Sequence, residues 1–142
     1  MAKHIESLKS LIGAWRRLDV EGVLVHLHDD FVWYNSGGLK PPLQGKANMR
    51  STLQTMAKGI KEGKWRLFNV AEVGSTVWME GVDEFISTDG IRVAIPYAGT
   101  LEFKDGLIFI WREFYEGRLI EQQMAGQGVS AEVEALLDRP EV

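Results

Sequence analysis

Asp83 and Glu113 are the two acidic residues whose positions in the sequence suit acid–base catalysis. Each belongs to a segment whose apolar residues recur at every second position, the pattern of a half-buried β-strand. Asp83 is the single acid on an apolar face that includes Phe85. Glu113 is the single acid on an aromatic face that includes Phe109 and Trp111. The alternation therefore predicts two carboxyl groups that point toward the protein interior.

Two carboxyl groups in one apolar cavity are suited to proton transfer. Desolvation and mutual repulsion push their pKa values apart, so that one group is protonated and the other ionised near neutral pH. The same alternation also permits a structural role, in which Asp83 and Glu113 lie on the solvated side of their strands or pair with a base such as Arg112. The residues alone leave both interpretations open.

Other kinds of chemistry have weaker support. The chain has no Cys, which excludes disulfides, thiolate catalysis and Cys-ligated zinc. His26 and His28 are two residues apart, a spacing that shares a face only on a strand, and they fall at the predicted end of a helix. Gly126 and Gly128 lack the third glycine and the long helix of a dinucleotide site. We expect neither a metal nor a cofactor.

Composition and charge are those of one ordinary globular domain, which we expect to span residues 1–142. The chain is 45% hydrophobic and 25% charged. Its 16 basic residues are scattered among 20 acidic ones, which argues against a nucleic-acid surface. No apolar run is long enough for a membrane span or a secretory signal. We therefore expect a soluble, cytoplasmic protein whose partner is a small molecule or another protein.

The elements that must position the two acids begin with helices. Apolar residues at three- and four-residue spacing predict a helix over 5–18, and Asp19 can cap a second, shorter one. The same spacing predicts a third helix over 47–56 and a short C-terminal helix capped by Ser130. These helices precede and follow the strand region, so we expect them to cover one face of a sheet.

The sheet follows from a change of period. Aromatic and branched residues predict a strand over 31–35, and period-2 alternation predicts four more strands, over 64–73, 76–87, 91–103 and 107–117. Asp-Gly pairs at 89–90 and 105–106 join the last three of these as tight hairpins, which makes an antiparallel meander. Pro96 cannot donate to a ladder and predicts an edge position or a bulge. The fold class is therefore α+β.

Four ordered motifs carry a resemblance to a known family. They are 29–35 (DDFVWYN), 42–47 (PLQGKA), 80–83 (EGVD) and 99–116 (GTLEFKDGLIFIWREFYE). Over roughly residues 5–120 the chain resembles the limonene-1,2-epoxide hydrolases within the SnoaL-like, nuclear transport factor 2-like superfamily. The resemblance implies N-terminal helices packed on a strongly curved, mainly antiparallel sheet that forms a cone around a deep apolar pocket. It also implies a homodimer and a reaction without a cofactor.

The resemblance assigns roles to residues of this sequence. Asp83 matches the acid that protonates an epoxide oxygen, and Glu113, where the family generally has Asp, matches the acid that activates water. Asn35 matches the residue that holds this water. Trp33 falls where the family has a Tyr, and Tyr34 is next to it but should face the other way.

Gly81 is the main departure, because it occupies the position of the cationic Arg that bridges the two acids in the family. Without that cation two carboxylates repel and share a proton. The pair would then equally suit proton transfer next to a carbonyl, as in the isomerases, dehydratases and polyketide cyclases of the superfamily. Non-catalytic ligand binding is a third alternative. We also expect the missing side chain at Gly81 to leave space for substrate or water beside Asp83.

The predicted inner faces define the substrate class. They offer aromatic and aliphatic side chains and no inward Lys or Arg, so we expect a small, apolar, uncharged substrate. Phosphorylated and coenzyme A substrates are disfavoured. The predicted substrate-binding residues are Trp33, Tyr34, Gly81, Phe85, Ile95, Tyr97, Phe109 and Trp111.

Overall fold

The computed structural model describes residues 3–38 and 40–142 and has an α+β architecture. Its helices are α1 (Lys3–Arg16), α2 (Val20–Leu24), α3 (Lys46–Lys58), α4 (Gly117–Gln122) and α5 (Ala131–Leu136). Its strands are β1 (Leu27–Tyr34), β2 (Leu43–Gln44), β3 (Ile60–Val73), β4 (Thr76–Ser87), β5 (Arg92–Lys104) and β6 (Leu107–Phe114). None of the described helices is long and apolar enough to cross a membrane.

The six strands form one curled, unclosed sheet in the order β2-β1-β6-β5-β4-β3. The last four strands are the predicted antiparallel meander, and only the pairing of β1 with β6 is parallel. Helices α1, α2 and α3 pack against one another and against the concave side of this sheet, where the main hydrophobic core lies. The predicted arrangement of helices on a strongly curved, mainly antiparallel sheet is confirmed.

Local signals in the sequence explain where several helices begin. The Asp19 carboxylate accepts a hydrogen bond from the Gly22 amide at the start of α2, and the Ser130 hydroxyl accepts one from Val133 at the start of α5. Both predicted caps are therefore present. Helix α4 has no counterpart in the prediction, which extends the last strand to residue 117. The Glu116 carboxylate caps this helix by accepting from the Arg118 amide.

His28 lies in a strand, whereas both histidines were expected at the end of a helix. His28 belongs to β1, which begins at Leu27 and buries Leu27 and Phe31 in the core, so this segment is a strand and not a helix end. His28 Nδ1 accepts from the Asp30 amide, and His26 Nε2 lies 3.2 Å from the Ser10 hydroxyl. Each imidazole is thus engaged by a nearby polar group.

Pro96 lies at a local edge, as predicted. Strand β6 pairs with β5 only from Ala98 onward, so Pro96 has a partner strand on one side, at Val82 of β4. The buried side chain of Gln123 completes the free side by bonding to both the amide and the carbonyl of Ala94. A proline therefore costs the sheet no ladder hydrogen bond here.

A bulge in β6 reverses the predicted orientation of Phe109. Glu102 pairs with Ile110 and the next residue, Phe103, pairs with Ile108, so Phe109 is an extra residue on β6. Ile108 and Trp111 both point into the core as a result. Phe109 instead lies under the Lys104 ammonium group on the other side of the sheet. The prediction that Phe109 lines the pocket is wrong.

The convex side of the sheet is also covered near its β4 end. The C-terminal segment buries a second, smaller core of Phe68, Val82, Ala94 and Val133. Glu84, although on the face predicted to be outside, is only 3% exposed, because the guanidinium groups of neighbouring strands enclose its carboxylate. The C-terminal helix thus protects the outside of the strand that carries Asp83 on its inside.

Candidate active site

Three strands of the meander position the two acids. Asp83 stands on β4 opposite Ile95 of β5, and Glu113 stands on β6 opposite Gly99 of the same strand. Tyr97 lies on β5 between these two points, and its side chain is buried. The strands point Asp83, Tyr97 and Glu113 to the concave side of the sheet, as the alternation predicted.

Asp83 and Glu113 face one cavity that has two parts. An inner recess of about 60 Å³ is lined mainly by core residues, and an outer chamber of about 320 Å³ is lined mainly by partly exposed ones. Both acids line both parts, together with Trp33 and Met56. The carboxyl groups therefore lie at the junction of the recess and the chamber.

Burial controls the protonation of the two acids. It raises the pKa of Asp83 from 3.8 to about 7. Burial also raises the pKa of Glu113, and the nearby charge of Asp83 adds to this rise, which reaches about 8. The Trp33 indole N–H approaches Glu113 without completing a hydrogen bond and opposes the rise only in part. Near neutral pH the pair can therefore donate one proton and accept another.

Tyr97 fills the space beside Asp83 that we expected Gly81 to leave open. Its hydroxyl donates a 2.8 Å hydrogen bond to the Arg66 carbonyl. A Cβ atom added at Gly81 would lie 2.0 Å from that carbonyl oxygen and 2.8 Å from the Tyr97 hydroxyl. Glycine is thus needed for close packing against β3, where a bulge follows Leu67. The predicted space and the predicted contact of Gly81 with substrate are both wrong.

Asn35 and Trp33 reach the cavity from the end of β1. Asn35 begins the turn that follows the strand, and its side-chain oxygen is buried with no hydrogen-bond donor among the described residues. Trp33 lines both parts of the cavity. Tyr34 points away from it, and the Arg112 guanidinium lies 5.5 Å from its ring. The opposite orientation of Tyr34 was predicted, so its assignment to substrate binding is wrong.

Most of the predicted site residues therefore converge. Those that line the cavity are Asp83, Glu113, Asn35, Trp33, Phe85, Ile95, Tyr97 and Trp111. Those that lie elsewhere are Tyr34, Gly81 and Phe109. The roles proposed for the first set remain predictions.

Several lining residues were missed by the sequence reasoning. They come from the apolar faces of the helices, from β3 and from the segment after β6. The apolar spacing of α1 and α3 was visible in the sequence, but it does not tell a core contact from a cavity contact. These residues are Leu11, Trp15, Val23, Met49, Thr52, Leu53, Met56, Trp65, Tyr115 and Ile120.

The charge of the lining restricts what can bind. Among the described residues around the recess and the chamber, Asp83 and Glu113 are the charged groups, and none is Lys or Arg. In the described part of the chain no group of His, Cys, Asp and Glu is arranged to hold a metal ion. The lining therefore suits a neutral, largely apolar molecule.

The chain is similar to known proteins in sequence and in fold. A family model for the SnoaL-like domain matches residues 8–111. No curated protein matches the chain. The structure is similar to that of an epoxide hydrolase from M. tuberculosis described as LEH-like, with 22% identity and a TM-score of 0.76 over 89% of this chain and 93% of that one.

Two further solved structures show the same fold. A protein of unknown function from Burkholderia pseudomallei, described as ntf2-like, has 16% identity and a TM-score of 0.77 over 89% of this chain and 100% of that one. A protein from Shewanella denitrificans assigned as a SnoaL-like polyketide cyclase has 18% identity and a TM-score of 0.76 over 87% and 98%. With the family match covering most of its length, this chain belongs to the SnoaL-like family.

Proposed function

We propose that the protein is a cofactor-independent enzyme that adds water to an apolar epoxide by acid–base catalysis. The observation that carries the proposal is the position of Asp83 and Glu113 at the junction of the recess and the chamber. The similarity to the LEH-like epoxide hydrolase supports the choice of reaction. We propose an oxygen-containing ring held in the chamber and an attacking water held beside the acids.

The chemistry needs one proton donor and one proton acceptor. Following the family resemblance, we assign Asp83 as the donor to the epoxide oxygen and Glu113 as the base that takes a proton from water. The water oxygen attacks a ring carbon while the carbon–oxygen bond of the epoxide breaks. Donor and acceptor exchange their proton states in this step, so one proton must pass between them before the next turnover. The pKa of about 8 for Glu113 and about 7 for Asp83 places the shared proton on Glu113 at rest, so it must pass to Asp83 before each turnover, and the small difference between the two values makes this step only mildly unfavourable.

Asn35 supports a site for the attacking water. Its buried side-chain oxygen is an unpartnered acceptor in the chamber that Asp83 and Glu113 also line. A water that donates one hydrogen bond to Asn35 and one to an ionised carboxylate is held with its lone pairs toward the substrate. We therefore assign Asn35 to positioning water.

One observation favours a second candidate, proton transfer next to a carbonyl. The position of the family's bridging cation is occupied by Gly81, and Tyr97 packs against it with a neutral hydroxyl. A carboxyl pair without a cation keeps a proton more readily, which suits an isomerase, dehydratase or cyclase that moves one proton within its substrate.

Substrate panels and isotope labels distinguish the two candidates. The protein is assayed on small apolar epoxides such as styrene oxide and 1-methylcyclohexene oxide, and on enolisable ketones in D₂O. We expect diol formation, with ¹⁸O from labelled water in the diol during the first turnover, because no ester intermediate forms. Deuterium exchange into the ketones without epoxide turnover would favour the second candidate. Turnover in neither panel would contradict both.

A further inference from the structure

Three tryptophans line the inner recess, and the described residues leave their buried N–H groups without a completed hydrogen bond. Trp33, Trp65 and Trp111 all line the recess, and the Nε1 atom of each is buried without a hydrogen-bond acceptor. Buried donors in native proteins almost always have a partner, so three around one small space call for a physical reason. A bound molecule that brings an acceptor oxygen would supply it.

The surroundings of the three indoles differ. The Trp33 N–H approaches the carboxyl group of Glu113, and the Trp65 N–H approaches the hydroxyl of Tyr97, although neither completes a hydrogen bond. The Trp111 N–H has no acceptor among the described residues. Trp111 is therefore the donor most available to a ligand.

Packing fixes the Trp111 ring in place. It is 5% exposed, and its centroid lies 5.9 Å from that of Trp65, 6.5 Å from that of Trp33 and 6.4 Å from that of Phe31. Three aromatic neighbours and this low exposure leave the ring little freedom to turn. Its direction is set before a ligand arrives, which is the property that makes a buried donor selective and effective.

The charge and polarity of the recess select the kind of acceptor. An anion is disfavoured, because the nearby acid pair carries negative charge and no described lining residue is Lys or Arg. Water can meet the polar groups of the recess, but it leaves the aliphatic part of the wall, including Leu11, Val23 and Leu53, without an apolar contact. A neutral carbonyl oxygen needs only donors and brings apolar carbon to the rest of the wall.

We propose that the recess is a binding subsite for a carbonyl oxygen at the buried end of a neutral, apolar ring substrate, and that the Trp111 N–H is its specificity-determining donor. The inference rests on the proposed function in that the same cavity holds the reacting molecule, and it adds the substrate class: a ketone-, quinone- or lactone-bearing ring. The subsite serves either candidate reaction. It orients a ring that carries an epoxide, and in proton transfer next to a carbonyl the donor also stabilises the negative charge that develops on the carbonyl oxygen.

A pair of ligands that differ in one oxygen tests the subsite without any turnover. 1-Indanone and indane share a carbon skeleton, and only the first has a carbonyl. The chain has five Trp residues, so a ¹⁵N-labelled sample gives five indole N–H signals that through-bond experiments can assign. We expect 1-indanone to move the Trp111 N–H proton signal downfield and indane to leave it nearly unchanged.

Two variants measure the contribution to affinity. Trp111→Phe removes the N–H and keeps an aromatic ring, and should weaken 1-indanone binding by roughly 3- to 10-fold relative to indane. Trp15→Phe is the matched control, because Trp15 lines the same recess but its N–H is not among the buried unpartnered atoms. The control should leave the ratio of the two affinities unchanged.

The outcomes separate this inference from the proposed reaction. Equal indole shifts with both ligands, an unchanged affinity ratio in Trp111→Phe, or no binding of 1-indanone would overturn the subsite. A Trp111→Phe protein that fails to fold leaves the signal of the parent protein as the deciding measurement. Carbonyl-dependent binding with no turnover of epoxides or ketones would uphold the subsite and contradict the reaction.

Discussion

Asp83 and Glu113 stand in an apolar cavity, where an ionised carboxylate loses hydration that the protein replaces only in part. The family's bridging cation is absent at Gly81, so burial determines their protonation more than ion pairing does. This is the opposite of Glu84 on the convex side, whose carboxylate two arginines hold. The same sheet thus lowers the pKa of Glu84 on its convex side and raises the pKa values of Asp83 and Glu113 toward neutral pH on its concave side.

Neutral substitutions of the two acids test their catalytic role. Asp83→Asn and Glu113→Gln keep the shape of each side chain and remove its ability to exchange a proton. We expect each to lower kcat by on the order of 10²–10⁴-fold and to change ligand affinity much less. Steady-state kinetics and a binding titration check this. Two variants that turn over an identified substrate like the parent would make these carboxyls structural.

The raised pKa values also predict how stability depends on pH. Between about pH 4 and pH 8 the folded protein holds protons on Asp83 and Glu113 that the unfolded chain releases, so the free energy of unfolding should fall as pH rises. Asp83→Asn removes the contribution of Asp83 to this fall in the free energy of unfolding. At pH 9 we expect its Tm to exceed that of the parent by at least roughly 3 °C, with little or no advantage at pH 4.

An exposed acid supplies the control for this pH dependence. Glu121 lies on the surface of α4, and Glu121→Gln should leave the pH dependence of the Tm as in the parent. Thermal melts of the three proteins across the pH range measure the effect. A parent Tm that is flat or rises from pH 5 to pH 9 would mean that the buried carboxyls are not held protonated.

At the scale of elements, regular strand pairing decided which predictions succeeded. Alternation placed Ile95 and Tyr97 correctly, because β5 pairs without interruption beside them. It failed for Phe109, because a bulge adds a residue and the sequence carries no signal for that bulge. The open space expected at Gly81 is missing because the Arg66 carbonyl and the Tyr97 hydroxyl lie close to it, next to a second bulge in β3. Local patterns therefore predict faces well until the ladder changes register.

The close contact at Gly81 has a consequence for stability. Gly81→Ala places a methyl group against the Arg66 carbonyl oxygen, which strands β3 and β4 can relieve only by moving apart. We expect a loss of roughly 1–3 kcal/mol in the free energy of unfolding, measured by denaturant titration. Gly117→Ala is the control, since a Cβ there meets nothing within 4 Å. A Gly81→Ala protein as stable as the control would contradict the packing described for Tyr97.

At the scale of the whole molecule, the outer face of the sheet offers a surface for the predicted homodimer. Trp78 and Phe114 are 56% and 52% exposed, although both are large and apolar. They lie on β4 and β6, and their register partners on β5, Thr100 and Ala98, bring them onto one side of the sheet. Exposed apolar groups clustered on one face are typical of interaction surfaces. We propose this face as the site of self-association.

A charge at the centre of that face tests the proposal. Trp78→Lys should convert a dimer into a monomer in sedimentation velocity, because a buried lysine without a partner opposes association. Val25→Lys is the control, since Val25 is 62% exposed after α2 and away from the outer sheet face. A monomeric parent, or a dimer that survives Trp78→Lys, would reject this interface and leave the site within one chain unaffected.

The central claim is that Asp83 and Glu113 form one pair in the apolar cavity that exchanges protons near neutral pH, and a carboxyl titration tests it most directly. The ¹³C signals of the two side-chain carboxyls are followed against pH in the parent and in Asp83→Asn. We predict parent midpoints of about 7 for Asp83 and about 8 for Glu113. The Glu113 midpoint should fall in the variant, where the charge of Asp83 is gone, yet stay above 4.5 because burial remains. Two parent midpoints near 4 would contradict the account.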